Sequence, residues 1–129
     1  MLQIERGRAA TLQDLEEIRE AFVRSALIAQ KIGADGVEIH CAHGYLLASF
    51  ISPLTNKRTD EYGGSIENRV RFLMEVTNAV VKVWGADRVG VRLSPHGVAN
   101  GSGEKDPMPL YTYAVEQLNP LGLAYVHFI

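Results

Sequence analysis

Of the 129 residues one is a cysteine, Cys41, so no disulfide can form within the chain and a reducing compartment such as the cytoplasm is expected. No apolar run reaches the roughly 18 to 20 residues needed to cross a bilayer. Met1 to Arg8 lacks the apolar core of a secretory signal. Charge of one sign is scarce too: 13 Lys and Arg stand against 15 Asp and Glu, net −2, without a long basic or acidic block. Nucleic acid and anionic membrane are therefore not expected as partners. What is present is ordinary for a folded domain, with 47% hydrophobic and 22% charged residues, and that excludes low complexity.

Residues 1–10 carry no period and read as an irregular lead-in. Thr11 followed by Asp14 resembles a capping box, and Leu15, Ile18, Phe22, Ala26, Ala29 and Ile32 then recur at helical steps up to Gly33. A short strand is expected at 36–40 and a long connection at 41–64, with turn chemistry at Ser52-Pro53, Asn56 and Gly63-Gly64. Ser65 opens a second helix, with Val70, Leu73, Val76, Val80 and Trp84 in period and Gly85 as its stop. A strand at 88–93, a loop at 96–108, a helix over about 109–118 and a strand at 124–128 complete the chain. Helices alternating with strands imply right-handed crossovers and a parallel α/β sheet, with helix faces around Phe22 and Leu73 on its outer side. Three strands cannot close a barrel, so a segment of a larger fold is expected.

In such folds chemistry gathers at the carboxyl ends of the strands, here His40 to Tyr45, Arg92 to Pro95 and His127 to Ile129. The first holds two imidazoles and a phenol within six residues. It allows a zinc site, although one cysteine leaves a structural ligand set incomplete. It equally allows local hydrogen bonding with a packed tyrosine. A third reading is a polarising site, with imidazole N–H groups binding a developing oxyanion and a phenol delivering a proton. Arg92 supplies a fixed positive charge suited to a phosphate, a carboxylate or a ring that becomes anionic on reduction; its competing reading is an ion pair with Glu38. Gly63-Gly64-Ser65 lacks the spacing of a phosphate-binding loop and reads as a turn plus helix cap, and Lys57-Arg58 as solvated surface.

Three long stretches carry a resemblance. Asp35-Gly36-Val37-Glu38-Ile39-His40-Cys41-Ala42-His43-Gly44-Tyr45-Leu46-Leu47, continued by Ser52 to Arg69, is similar to the fourth-strand signature of the Old Yellow Enzyme family. Trp84 to Pro95 resembles its fifth strand, and Leu123-Ala124-Tyr125-Val126-His127 its sixth. The likeness covers residues 11–129 and leans toward bacterial-type alkene and N-ethylmaleimide reductases. It implies part of a (β/α)8 barrel that binds FMN, takes hydride from NADH or NADPH and reduces activated alkenes such as enones, maleimides and nitroalkenes. It also implies that His40 and His43 bind the substrate's carbonyl or nitro oxygen, that Tyr45 donates the proton, and that Arg92 lies beside the flavin pyrimidine. The family's strands one to three, seven and eight, with the remaining flavin and phosphate contacts, have no counterpart in these residues. Two functions follow as expectations: an ene-reductase site, or a non-catalytic barrel fragment that binds no flavin alone and associates with itself or a complementing piece.

Overall fold

The computed structural model describes residues 7–129. Helix α1, Leu12–Lys31, opens on a complete capping box: Asp14 N–H donates to the Thr11 hydroxyl and Thr11 N–H donates to the Asp14 carboxylate. Its end is a Schellman closure, with Gly33 N–H on Gln30 O, Ala34 N–H on Ala29 O and Gly33 at φ +89°. The left-handed angle explains the glycine there. Strand β1 (Val37–Cys41) follows, then α2 (Leu46–Ile51), α3 (Ile66–Trp84), β2 (Val89–Leu93), α4 (Pro107–Leu118) and β3 (Tyr125–Phe128).

The strands form one parallel sheet in chain order, β1-β2-β3, and the expected βαβαβ arrangement is present. Strand side chains alternate between faces. Val37, Ile39 and Cys41 share one face with Val89, Val91 and Leu93; α3 packs on β2 and α2 on β1, and α1 lies against α3. Leu73, Val76 and Val80 of α3 and Leu15 of α1 are buried there, with Phe22 packed against them. Two side-chain bonds tie the helices together: Gln30 Nε2 donates to Val83 O at 2.7 Å and Trp84 Nε1 to Ala26 O at 3.0 Å. The other face carries Glu38, His40, Arg92, Tyr125 and His127, which is polar and uncovered.

Four expectations need correction. The 41–64 connection contains a helix, α2, with Leu47, Ala48, Phe50 and Ile51 all buried against α3 and β1. Ile32 does not belong to the buried stripe of α1; it caps the helix beyond Lys31 and is 78% exposed. Arg58 is not solvated surface: its guanidinium forks onto Asp60 at 3.0 and 2.7 Å and donates to Ala10 O at 2.5 Å. Its neighbour Lys57 is exposed, with its ammonium on Pro53 O. Finally, Arg92 makes no pair with Glu38, which engages His127 instead.

Candidate active site

His40 is the fourth residue of β1, so its ring lies on the uncovered face while Cys41, one step on, is buried on the opposite face. The chain then reverses through two consecutive left-handed residues, His43 at φ +57° and Gly44 at φ +73°. Tyr45 N–H closes the turn on Ala42 O at 3.2 Å, and Tyr45 becomes the first flanking residue of α2. Position 44 must be glycine, because a Cβ there would stand 2.2 Å from Ala99 O and 2.7 Å from Ser102 Oγ. A φ above zero at histidine is uncommon and needs support from its surroundings. That support comes from the segment after β2: His43 N–H donates to Ser94 Oγ at 2.9 Å, and Asn100 Nδ2 donates to His43 O at 2.7 Å.

The turn gathers the three rings that the sequence singled out. His40 and His43 have centroids 5.9 Å apart at 63°, and His40 and Tyr45 5.4 Å apart at 51°. Tyr45 is 59% exposed, so its phenol faces open space. The parallel register sets His40, Arg92 and His127 side by side in one row across the sheet. Two residues deeper lies the row Glu38, Gly90 and Tyr125.

Arg92 has no ion-pair partner among the described residues, and its Nε is buried without a hydrogen bond. A buried guanidinium N–H left unpaired is costly, and it marks a place where an acceptor is missing. The carboxylate that might have served, Glu38, is 3.0 Å from His127 Nδ1. Arg92 is thus without a partner among the described residues, and its charge suits an anionic or carbonyl-rich group approaching the face of the sheet. Burial, then the charge and hydrogen bond of Glu38, hold the Tyr125 phenol above its ordinary range.

No group of three or more His, Cys, Asp or Glu side chains among the described residues is arranged to hold a metal ion. Cys41 cannot join His40 and His43, since it is on the other face, and burial pushes its thiol up to about 12. Gly63-Gly64-Ser65 is structural: a Cβ at Gly63 would stand 2.3 Å from Arg58 O, and Ser65 Oγ accepts from Asn68 N–H at 3.1 Å to cap α3. No helix of the described residues is long and apolar enough to cross a membrane. The contacts of Ser94 and Asn100 escaped the reading of the sequence, which placed Ser94 on the rim after a strand and Asn100 in the 96–108 loop, with nothing to point to the histidine that both reach.

The parallel βαβαβ sheet, with Arg92 and the His-His-Tyr cluster at its carboxyl edge, is a segment of an α/β-barrel fold. The chain belongs to the NADH:flavin oxidoreductase / NADH oxidase family, whose profile matches residues 3–129. It is 47% identical over 122 residues to 12-oxophytodienoate reductase 2 of Arabidopsis thaliana, covering 95% of this chain and 33% of that protein. Rice 12-oxophytodienoate reductase 1 (Oryza sativa subsp. japonica) is 48% identical over 123 residues, 95% of this chain and 32% of its own. Among solved structures, morphinone reductase superposes with a TM-score of 0.93 at 41% identity, covering 96% of this chain and 33% of that one. Old Yellow Enzyme from Pichia sp. AKU4542 gives 0.90 at 45%, covering 94% and 34%. The chain spans about a third of the length of the relatives it matches.

Proposed function

We propose that this segment forms the substrate-polarising wall of an FMN-dependent reductase that uses NADH or NADPH to reduce activated C=C bonds of enones, maleimides and nitroalkenes. The observation that carries the reading is the cluster of His40, His43 and Tyr45, on the same rim as an arginine without a partner. The relatives named for reducing 12-oxophytodienoate and morphinone support a small carbonyl-bearing substrate.

Each residue has a distinct task. FMN, when bound, would supply hydride chemistry drawn from the nicotinamide. His40 and His43 donate hydrogen bonds to the substrate's carbonyl or nitro oxygen as negative charge builds there, about 2 to 4 kcal/mol per donor in comparable oxyanion sites. Tyr45 gives a proton to the α-carbon from its exposed phenol. Arg92 holds the cofactor's pyrimidine side and balances the negative charge of its reduced form. A reducing compartment, the cytoplasm, suits both the nicotinamide donor and the lone thiol of Cys41.

A second reading is favoured by the openness of the sheet. β1 and β3 each have one strand neighbour among the described residues, and the polar face is uncovered. On that reading the chain alone holds little or no FMN and acts by joining itself or a complementing barrel piece. The test is an FMN titration of the purified protein, anaerobic reduction with NADPH, and rapid mixing with 2-cyclohexenone. Prompt reoxidation of the flavin is expected from the first reading. A bound, reduced flavin that the enone leaves untouched overturns it, and absence of flavin absorbance after gel filtration favours the second.

A further inference from the structure

The strained turn at His43 is held by two groups from the segment that follows the neighbouring strand, β2. Ser94, at the end of β2, accepts the His43 N–H at 2.9 Å, and Asn100 donates its amide to the His43 carbonyl at 2.7 Å. Both polar groups of the His43 main chain are therefore fixed by the segment after β2 and none by its own strand or helix. The segment is itself fastened at both ends. Gly97 N–H bonds Ser94 O at 3.1 Å, and Ser52 Oγ both donates to Gly103 O and accepts Gly103 N–H, at 2.9 and 3.0 Å. Between these anchors Asn100 has φ +56°, and Ala99 O lies directly over Gly44. Asparagine tolerates the left-handed region better than most residues, and its side chain is left free to bond.

We infer that Asn100 is a positioning residue for His43: its amide, with Ser94, clamps the left-handed turn and so sets where the second imidazole meets the substrate oxygen. The inference rests on the ene-reductase reading for its effect on substrate, but the clamp itself is a property of the fold. Without the amide, His43 has no donor on its carbonyl and the turn relaxes toward ordinary φ, carrying the imidazole away from His40. A displacement of about an ångström in a substrate-positioning group costs up to about a hundredfold in rate. One hydrogen bond lost from a loop that is still fastened at both ends should cost less, about tenfold.

Two substitutions separate the amide from the backbone. Asn100→Gly keeps the left-handed conformation and removes the amide; Asn100→Asp keeps the shape and replaces the donor by an acceptor facing His43 O. Four histidines make the chain tractable by heteronuclear NMR with labelled imidazoles. In both variants the His43 ring signals should shift and broaden while those of His127 stay in place. With FMN, NADPH and 2-cyclohexenone as the probe substrate, kcat/KM should fall about tenfold, with the loss in kcat rather than KM. Unchanged His43 signals in both variants overturn the clamp, whatever the activity. Shifted signals with an unaltered kcat overturn its role in positioning the imidazole. Wild-type protein that never reduces the enone counts against the ene-reductase reading alone, and the ring signals still decide the clamp.

Discussion

Glu38 and His127 meet at 3.0 Å across the sheet, from β1 to β3, with Gly90 of the central strand as the register partner of Glu38. The contact engages Glu38, the carboxylate weighed as a partner for Arg92, and Arg92 has no ion pair among the described residues. Tyr125 completes the arrangement, its ring lying on the space a Cβ of residue 90 would take.

Gly90→Ala tests that arrangement. The new methyl carbon would stand 2.4 Å from Cε2 and Cζ of Tyr125, so the ring must leave. Overpacking of this kind costs about 1 to 3 kcal/mol, and the half-exposed Tyr125 can swing outward, which favours the lower end. Urea denaturation should show a lower midpoint with an unchanged slope, and fluorescence should report a more exposed tyrosine. A midpoint equal to wild type would mean that Tyr125 does not rest on Gly90 in solution.

What could be read directly from the residues was local. The Thr11–Asp14 box, the Gly33 and Gly85 stops and the Ser65 cap each lie within a few residues of what they cap, and the helix–strand alternation dictates a parallel sheet. The His40, His43 and Tyr45 cluster was legible for the same reason. α2 was not, since Leu-Leu-Ala-Ser-Phe-Ile is too short and too uniformly buried to show a period, and Tyr45 provides no side-chain cap. Arg58 was misread because its carbonyl partner, Ala10, lies 48 residues away. Asn100 reaches His43 over 57 residues and His127 reaches Glu38 over 89, and no spacing rule spans such distances.

Cys41 should be chemically silent in the folded protein. It is fully buried, and desolvation of its thiolate raises the thiol to about 12, so almost no nucleophile exists at neutral pH. A disulfide reagent such as dithionitrobenzoate should label nothing in buffer and one thiol per chain in urea. Rapid labelling of the native protein would contradict the burial of the outer sheet face.

The start of α1 should loosen in acid. Arg8, first by hydrogen bond, and then Thr11 N–H hold the Asp14 carboxyl below the usual carboxylate range. A carboxyl with a folded pKa below its unfolded one stabilises the fold above the unfolded value, about 3.9, and loses that stability as pH falls through the folded one. The stability gap between wild type and Asp14→Asn should therefore be open at pH 7 and close progressively below about pH 4. It should also narrow in 1 M salt, because the Arg8 contact is solvent-exposed. Thr11→Val, which removes the other half of the box, should cost about 1 kcal/mol at any pH. A gap independent of pH would show that Asp14 caps without its charge.

Association is expected at high concentration. Among the described residues the outer edges of β1 and β3 are unpaired, and Tyr125 and Phe128 of β3 and Ile129 just beyond it are 49, 53 and 57% exposed. Open strand edges beside apolar side chains recruit further strands. Light scattering should show a mass that rises with concentration, and a charged residue at Phe128, as in Phe128→Lys, should reduce the rise. A monodisperse monomer over the whole concentration range would remove the association reading.

Tyr45→Phe addresses the proton, and the two half-reactions separate its contribution from the rest. The substitution keeps the ring against His40 and deletes only the hydroxyl, which is exposed and caps nothing. Flavin reduction by NADPH consumes no proton from Tyr45, so its rate should match wild type. Oxidation by an enone is different, because hydride at the β-carbon leaves an enolate whose α-carbon must be protonated; this step should slow by about 10² to 10⁴, the usual worth of a placed general acid. A nitroalkene yields a nitronate that is stable without immediate protonation, so its hydride step should be nearly untouched in Tyr45→Phe. His40→Ala should slow both substrates, since either oxygen loses a hydrogen bond as its charge develops. The pattern across two substrates and two variants distinguishes proton delivery from oxygen polarisation: an enone that oxidises the flavin of Tyr45→Phe at the wild-type rate would remove Tyr45 from the donor role and leave oxygen polarisation by the His pair.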